Sequence, residues 1–397
     1  MTTRRTFLVL AGAGLALSGC REPAAKAATV PDVLIAETAR GLVRLSPGGA
    51  QEYGPAAVLS SDGTRLSVVR DNVLSEIVTG SGEVTRTTAL AAGWLPRVVS
   101  PDGRAHALAH TEALVIPRRR SRTALLTVID GRSREYDLPG VVEPDAFTAD
   151  RTGLFVLDWL PATAPDHYRV RLLDLASGRV QPLQTRAKVP VPGGAEEQMR
   201  GEGRQAVLSE NGQLLLTLYT HQPGHQHTRD LLSGRPGNAH AFVHVLHLSE
   251  HWAYCLDLPH PFGEGPPAGH ALAADATGLA VVDATSGQLA YANLETLQID
   301  RTAPARLPAG ATAALLLTGD RRTLAGADGQ VSVLDRDSGA VRGSWPVPAP
   351  LSGLGLSGDG ARVYAGTPGA VTWLDAATGE ATGRVEVAGL TALRHVA

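Results

Sequence analysis

Ser357-Gly358-Asp359-Gly360 opens and Leu374-Asp375-Ala376-Ala377-Thr378-Gly379 closes the unit from which this chain is built. An apolar strand runs into the first string, a second strand leaves it, and a third ends in the second string. The opening turn recurs as Ser60-Ser61-Asp62-Gly63, Ser100-Pro101-Asp102-Gly103 and Ser209-Glu210-Asn211-Gly212, with looser copies at Asp150, Asp275 and Asp320. The closing string recurs as Leu173-Asp174-Leu175-Ala176-Ser177-Gly178 and Leu334-Asp335-Arg336-Asp337-Ser338-Gly339. Asp-Gly and Asn-Gly suit tight hairpins, whose turn positions can need positive φ. The Asp of Asp-x-x-Ser/Thr-Gly is expected to cap its own turn through backbone N–H groups.

Consecutive opening turns lie 40, 48, 61, 64, 45 and 39 residues apart. A period near 40 with three or four short strands per repeat is the signature of a β-propeller, in which each small sheet hides its faces against its neighbours. Seven blades begin inside the chain. An eighth follows if the strand at Leu390 to Val396 pairs with those at Val33 to Glu37 and Gly41 to Leu45, closing the ring and removing two sheet edges. The expectation is therefore an all-β chain, a single propeller of eight four-stranded blades over residues 31–397; one miscounted repeat would make it seven.

The copy Leu272-Ala273-Ala274-Asp275-Ala276-Thr277-Gly278, continued by Leu279 to Asp283 and Leu289 to Leu297, resembles the YVTN-type repeat of lactonase-like and surface-layer propellers. The WD repeat fits less well: Trp373-Leu374-Asp375 is similar to its ending, but no Gly-His pair precedes it. The resemblance implies the propeller fold, and it is compatible with a lactonase-like hydrolase without naming residues for one.

The first residues read as an export signal. Arg4 and Arg5 precede the apolar run Leu8 to Leu17, and Leu17-Ser18-Gly19-Cys20 follows. The run is too short to span a bilayer, so residues 1–19 read as a cleaved signal. The segment resembles a bacterial lipoprotein signal, which implies lipidation of Cys20 and an anchor on the outer face of the cell membrane. The arginine pair suits the twin-arginine route or an ordinary positive n-region. Residues 20–30 read as a tether.

Formal charge is -3, which gives no general electrostatic attraction to nucleic acid, so no nucleic-acid partner is expected. No G-x-S-x-G nucleophile elbow, Gly-rich phosphate loop, CxxC pair or haem-attachment string occurs, and no cofactor is expected. Beyond Cys20 the one cysteine is Cys255, read as a buried, inert packing thiol.

Long insertions at Ala113 to Arg122, Pro161 to His167, Arg186 to Arg204 and His221 to Ala239 all fall in connections that share one face of the disc. Such loops on a rigid scaffold are where binding is usually carried. The expected role is a binding, scaffold or sensor module for a protein, glycan or small ligand, using the face of the blades between about Arg97 and Pro259. Arg118, Arg119, Arg120, Arg122 and Arg229 are its candidate anion-gripping residues. The alternative is an enzyme or metal-binding protein on the same face. Nine of the thirteen histidines lie between His221 and His270. In extended chain His225 and His227 point the same way ~7 Å apart, and they can share a metal if His221 or Asp230 folds back as a third ligand. His240 and His244, four residues apart about a strand, cannot share one ion.

Overall fold

The computed structural model describes residues 29–110, 116–201, 204–237, 239–348 and 350–397. The expected signal, its Arg4 and Arg5, and Cys20 lie outside them. Among the described residues, thirty-two strands form eight four-stranded antiparallel sheets, a single eight-bladed propeller. Blade one joins the two ends of the chain: Leu390–Val396 lies innermost, then Leu34–Thr38, Gly41–Ser46 and Gly49–Gly54. Ala36 pairs with Leu393 and Val43, and Leu34 with Val396, as ring closure requires.

Burial within each blade follows strand rank. The second strand of blade five, Leu214–Tyr219, is buried at every position, while the outer strand of blade six, Gln298–Pro304, alternates. A strand held between two neighbouring sheets reads as a continuous apolar run, whereas one at the rim has a wet face. Packing begins at Val30, 3% exposed in a cluster with Tyr364, Trp373 and Leu390. Asp32 follows, accepting hydrogen bonds from Arg362 Nε at 2.7 Å and Tyr364 Oη at 2.5 Å.

The opening turn works differently from a two-residue hairpin. Gly63, Gly103, Gly212 and Gly360 are left-handed, with φ of 70–77°, whereas their Asx partners are not. The Asx side chain instead takes the hydroxyl of the residue two before it: Ser60 to Asp62 at 2.5 Å, Ser100 to Asp102 at 2.6 Å, Ser209 to Asn211 at 2.7 Å, Ser357 to Asp359 at 2.6 Å. Turns with both residues left-handed occur one strand later, at Asp71-Asn72 and Asp130-Gly131. The closing string caps as expected, with Ser177, Ser338 and Thr378 N–H groups donating to Asp174, Asp335 and Asp375.

Blades four and five frame the region of interest. Blade four comprises Val141–Phe147, Gly153–Leu160, His167–Asp174 and Val180–Pro182; blade five comprises Gln205–Leu208, Leu214–Tyr219, Phe242–His247 and Ala253–Asp257. One core of aromatic and aliphatic side chains, including Phe155, Tyr168, Tyr219 and Phe242, fills the seam between them.

Candidate metal centre

Blade five supplies the floor. In its outer two strands Phe242 pairs with Asp257 and His244 with Cys255, so these four residues share one face of the sheet. Two insertions close over that face. The connector from blade four to blade five is pinned by Glu196, which accepts from Arg169 at 2.9 Å and Arg171 at 2.8 Å, and by the backbone pair Tyr168–Met199. Its next residue, Glu197, is thereby turned toward blade five. The second insertion, between Leu214–Tyr219 and Phe242–His247, is tied to the connector by Gln222, whose side chain bonds both backbone groups of Arg200. It brings in His225 and His227, then turns into the helix α1, Thr228–Ser233.

Glu197, His225 and His227 converge, one donor atom from each lying within 4.8 Å of the others. Glu197 Oε2 stands 3.7 Å from His225 Nε2 and 3.6 Å from His227 Nδ1. Both nitrogens are buried and lack a hydrogen-bond partner. Leaving such a group unpaired costs about 1–3 kcal/mol. The gaps are too long for hydrogen bonds but close to the separation of about 3.3 Å between two donors on one tetrahedral zinc ion with bonds near 2.0–2.1 Å.

The surroundings orient each donor. His225 stacks on Phe242 with centroids 4.4 Å apart, and His227 meets the same ring edge-on at 5.0 Å. His227 Nε2 donates to Asp257, which also accepts from Arg229. That bond commits the proton of neutral His227 to Nε2 and leaves the Nδ1 lone pair aimed at Glu197, the carboxylate–histidine arrangement common behind metal ions. Glu197 Oε1 accepts from the Thr228 N–H at 2.7 Å, and Oε2 from the Cys255 thiol at 2.9 Å.

Charge states follow. Burial raises the Glu197 carboxyl, but the facing imidazoles outweigh it and hold the group well below the usual range. Burial pulls His227 down, but Asp257 and Glu197 bring it to about 9, so without a metal its Nδ1 holds a proton at neutral pH. His244, buried behind them, is pushed down to about 4 and stays neutral. Burial, reinforced by Glu197, drives the Cys255 thiol well up.

Beside this cluster lies a cavity of about 270 Å³, lined by Glu197, His227, His244 and Cys255 together with a mostly apolar set of side chains. A larger one, about 620 Å³, occupies the hub. Of its lining charges, Arg204 pairs with Asp145, and Glu143 faces Arg120 outside the lining at 3.8 Å.

The structure joins some predicted residues and disperses others. His225, His227 and Arg229 meet. His221 does not: its ring bonds the Thr220 hydroxyl at 2.9 Å. Asp230 caps α1 by accepting from the His227 N–H at 3.1 Å. The third donor is Glu197, which sequence reasoning missed. The arginine run makes no cluster at this site: Arg118 and Arg119 are exposed, Arg120 faces Glu143, and Arg122 bonds Asp137 at 2.7 Å. Cys255 is buried as expected, yet its thiol faces the cluster. The signal for Glu197 was topological, since its connector and the histidine insertion were placed on one face.

No family model and no curated protein matches the chain. Among solved structures it is similar to the dihydro-heme d1 dehydrogenase NirN in complex with DHE, at 13% identity and TM-score 0.51 over 93% of this chain and 76% of that one. It is also similar to apo AztD from Citrobacter koseri, at 12% identity and TM-score 0.52 over 90% and 95% of the two chains. At this identity the likeness is one of fold: the chain is an eight-bladed propeller similar in architecture to both.

Proposed function

We propose that this chain is an extracytoplasmic, lipid-anchored propeller that binds a divalent transition metal, zinc by donor chemistry, through Glu197, His225 and His227. The binding role expected of the loop-rich face then belongs to the seam of blades four and five. One observation supports this above the rest: two buried imidazole nitrogens that lack hydrogen-bond partners and an oxygen of the half-buried Glu197 carboxylate lie within 4.8 Å of one another. Two nitrogens and one oxygen suit zinc, and Asp257 behind His227 suits it further. Anchoring rests on Cys20 and the preceding apolar run.

Elemental analysis of protein purified without a polyhistidine tag tests the metal. The expected result is one zinc per chain, lost in His225→Ala/His227→Ala while circular dichroism stays that of a β protein. Protein that takes up no zinc, cobalt or copper when each is added in slight excess would overturn the reading. Membrane fractionation of cells expressing Cys20→Ser tests the anchor, the expected outcome being release of the protein from the membrane fraction.

A further inference from the structure

Three protein donors leave a tetrahedral ion one position short, and sites of that kind hold water or an incoming ligand there. Among the described residues no fourth side chain joins the cluster; Cys255, the nearest soft donor, is spent on Glu197. The other carboxylates close by are engaged, Asp257 by His227 and Arg229, and Glu196 by Arg169 and Arg171. A dication with one carboxylate therefore keeps net positive charge at a buried position, which an anion relieves. Arg186 in the cavity wall adds to that charge, whereas Arg229 is offset by Asp257.

Most of the remaining wall is apolar, with Gln184, Thr185 and Thr228 as polar exceptions. Leu183, Val191, Met199 and Ala253 line the cavity, and Leu232 of α1 stands at it while 55% exposed. No residue of α1 is buried, so this short helix lies over the cavity without packing into a core. At about 270 Å³ the space is just below the usual range of about 300–1,000 Å³ for ligand pockets.

We propose that the cavity receives a small organic ligand whose monoanionic head completes the coordination of the metal held by Glu197, His225 and His227, and whose apolar body lies between Leu183, Val191, Met199, Ala253 and Leu232. This rests on the metal reading above and names what that metal is for: it is the polar anchor of a ligand site.

Cobalt-loaded protein permits a direct test, because the visible bands of Co²⁺ report its donors. Three probes are titrated: benzohydroxamate, with a chelating anionic head and an apolar body; acetohydroxamate, with the same head and almost no body; and benzamide, with the body alone. Benzohydroxamate is expected to shift the cobalt bands and to bind at least about tenfold more tightly than acetohydroxamate, a difference of about 1.4 kcal/mol, with benzamide silent. Ala187→Trp, which fills the cavity mouth, should keep cobalt stoichiometry and lose that preference. Leu232→Asp, on an exposed position, should do the same and decides the matter if the first variant loses cobalt. Stoichiometric cobalt with bands unmoved by benzohydroxamate, equal affinity for the two hydroxamates, or variants that bind like the parent would each overturn this inference while leaving the metal site standing. Failure to bind cobalt at all would overturn both.

Discussion

Asp257 sets which nitrogen of His227 faces the candidate ion, and with it the proton that a metal must displace. Since the His227 imidazolium titrates at about 9, the metal-free protein carries that proton at neutral pH. Metal binding requires the neutral ring, so affinity should fall about tenfold for each pH unit lowered below about 9, with a proton released on binding. Zinc titrations at several pH values between 6 and 9 check the slope; affinity flat across that span would contradict the assignment. Asp257→Asn removes the charge behind His227 and should weaken zinc about 10–100-fold without abolishing it. The histidine pair was legible from alternation along an extended chain. Glu197 was not, because it lies 28 residues before His225 and reaches the site through a neighbouring connector. Cys255 and Asp257 were hidden for another reason: in sequence they end an apolar strand, and only its pairing with Phe242–His247 turns them toward the histidines.

The connector that bears Glu197 has no regular structure of its own for most of its length, so its position depends on the half-buried ionic cluster beneath it. Glu196 takes hydrogen bonds from both Arg169 and Arg171, and Asp158 bonds Arg169 from the adjacent strand. Removing one partner of such a cluster leaves guanidinium charge uncompensated. Glu196→Ala is accordingly expected to cost about 3–5 kcal/mol by chemical denaturation, and to weaken zinc binding although the residue touches no metal. Glu196→Gln, which keeps a hydrogen-bond acceptor, should recover part of both. Equal zinc affinity in the alanine variant would show that Glu197 is held by other means. At this scale the sequence reading was strong for the repeats, since each opening and closing string forms its turn by local bonds. It was weaker for the turn chemistry: Asp62 and its equivalents act through their side-chain oxygens and leave the left-handed position to the next residue, glycine in the four full copies.

Eight wedges close into a ring only if the two chain ends meet, and Asp32 fastens that junction by accepting from Arg362 and Tyr364 of blade eight. Its bonds with Arg362 depress the Asp32 carboxyl, with burial acting the other way. A depressed value means that the contribution is present above the unfolded value near 4 and is lost as pH falls through the folded one. Asp32→Asn should therefore lower stability by roughly 1.5–3 kcal/mol at pH 7, with the gap to the parent closing below about pH 4. Thermal unfolding of both proteins across that range checks it; a gap unchanged in acid would place its origin elsewhere. The count of eight blades was legible because the first and last strands read as parts of one sheet. The same closure has a practical outcome. Val30 enters at blade one, and the imidazoles sit at the boundary of blades four and five, halfway round the circle. A hold on the leading segment therefore acts at blade one, across the ring from the seam of blades four and five.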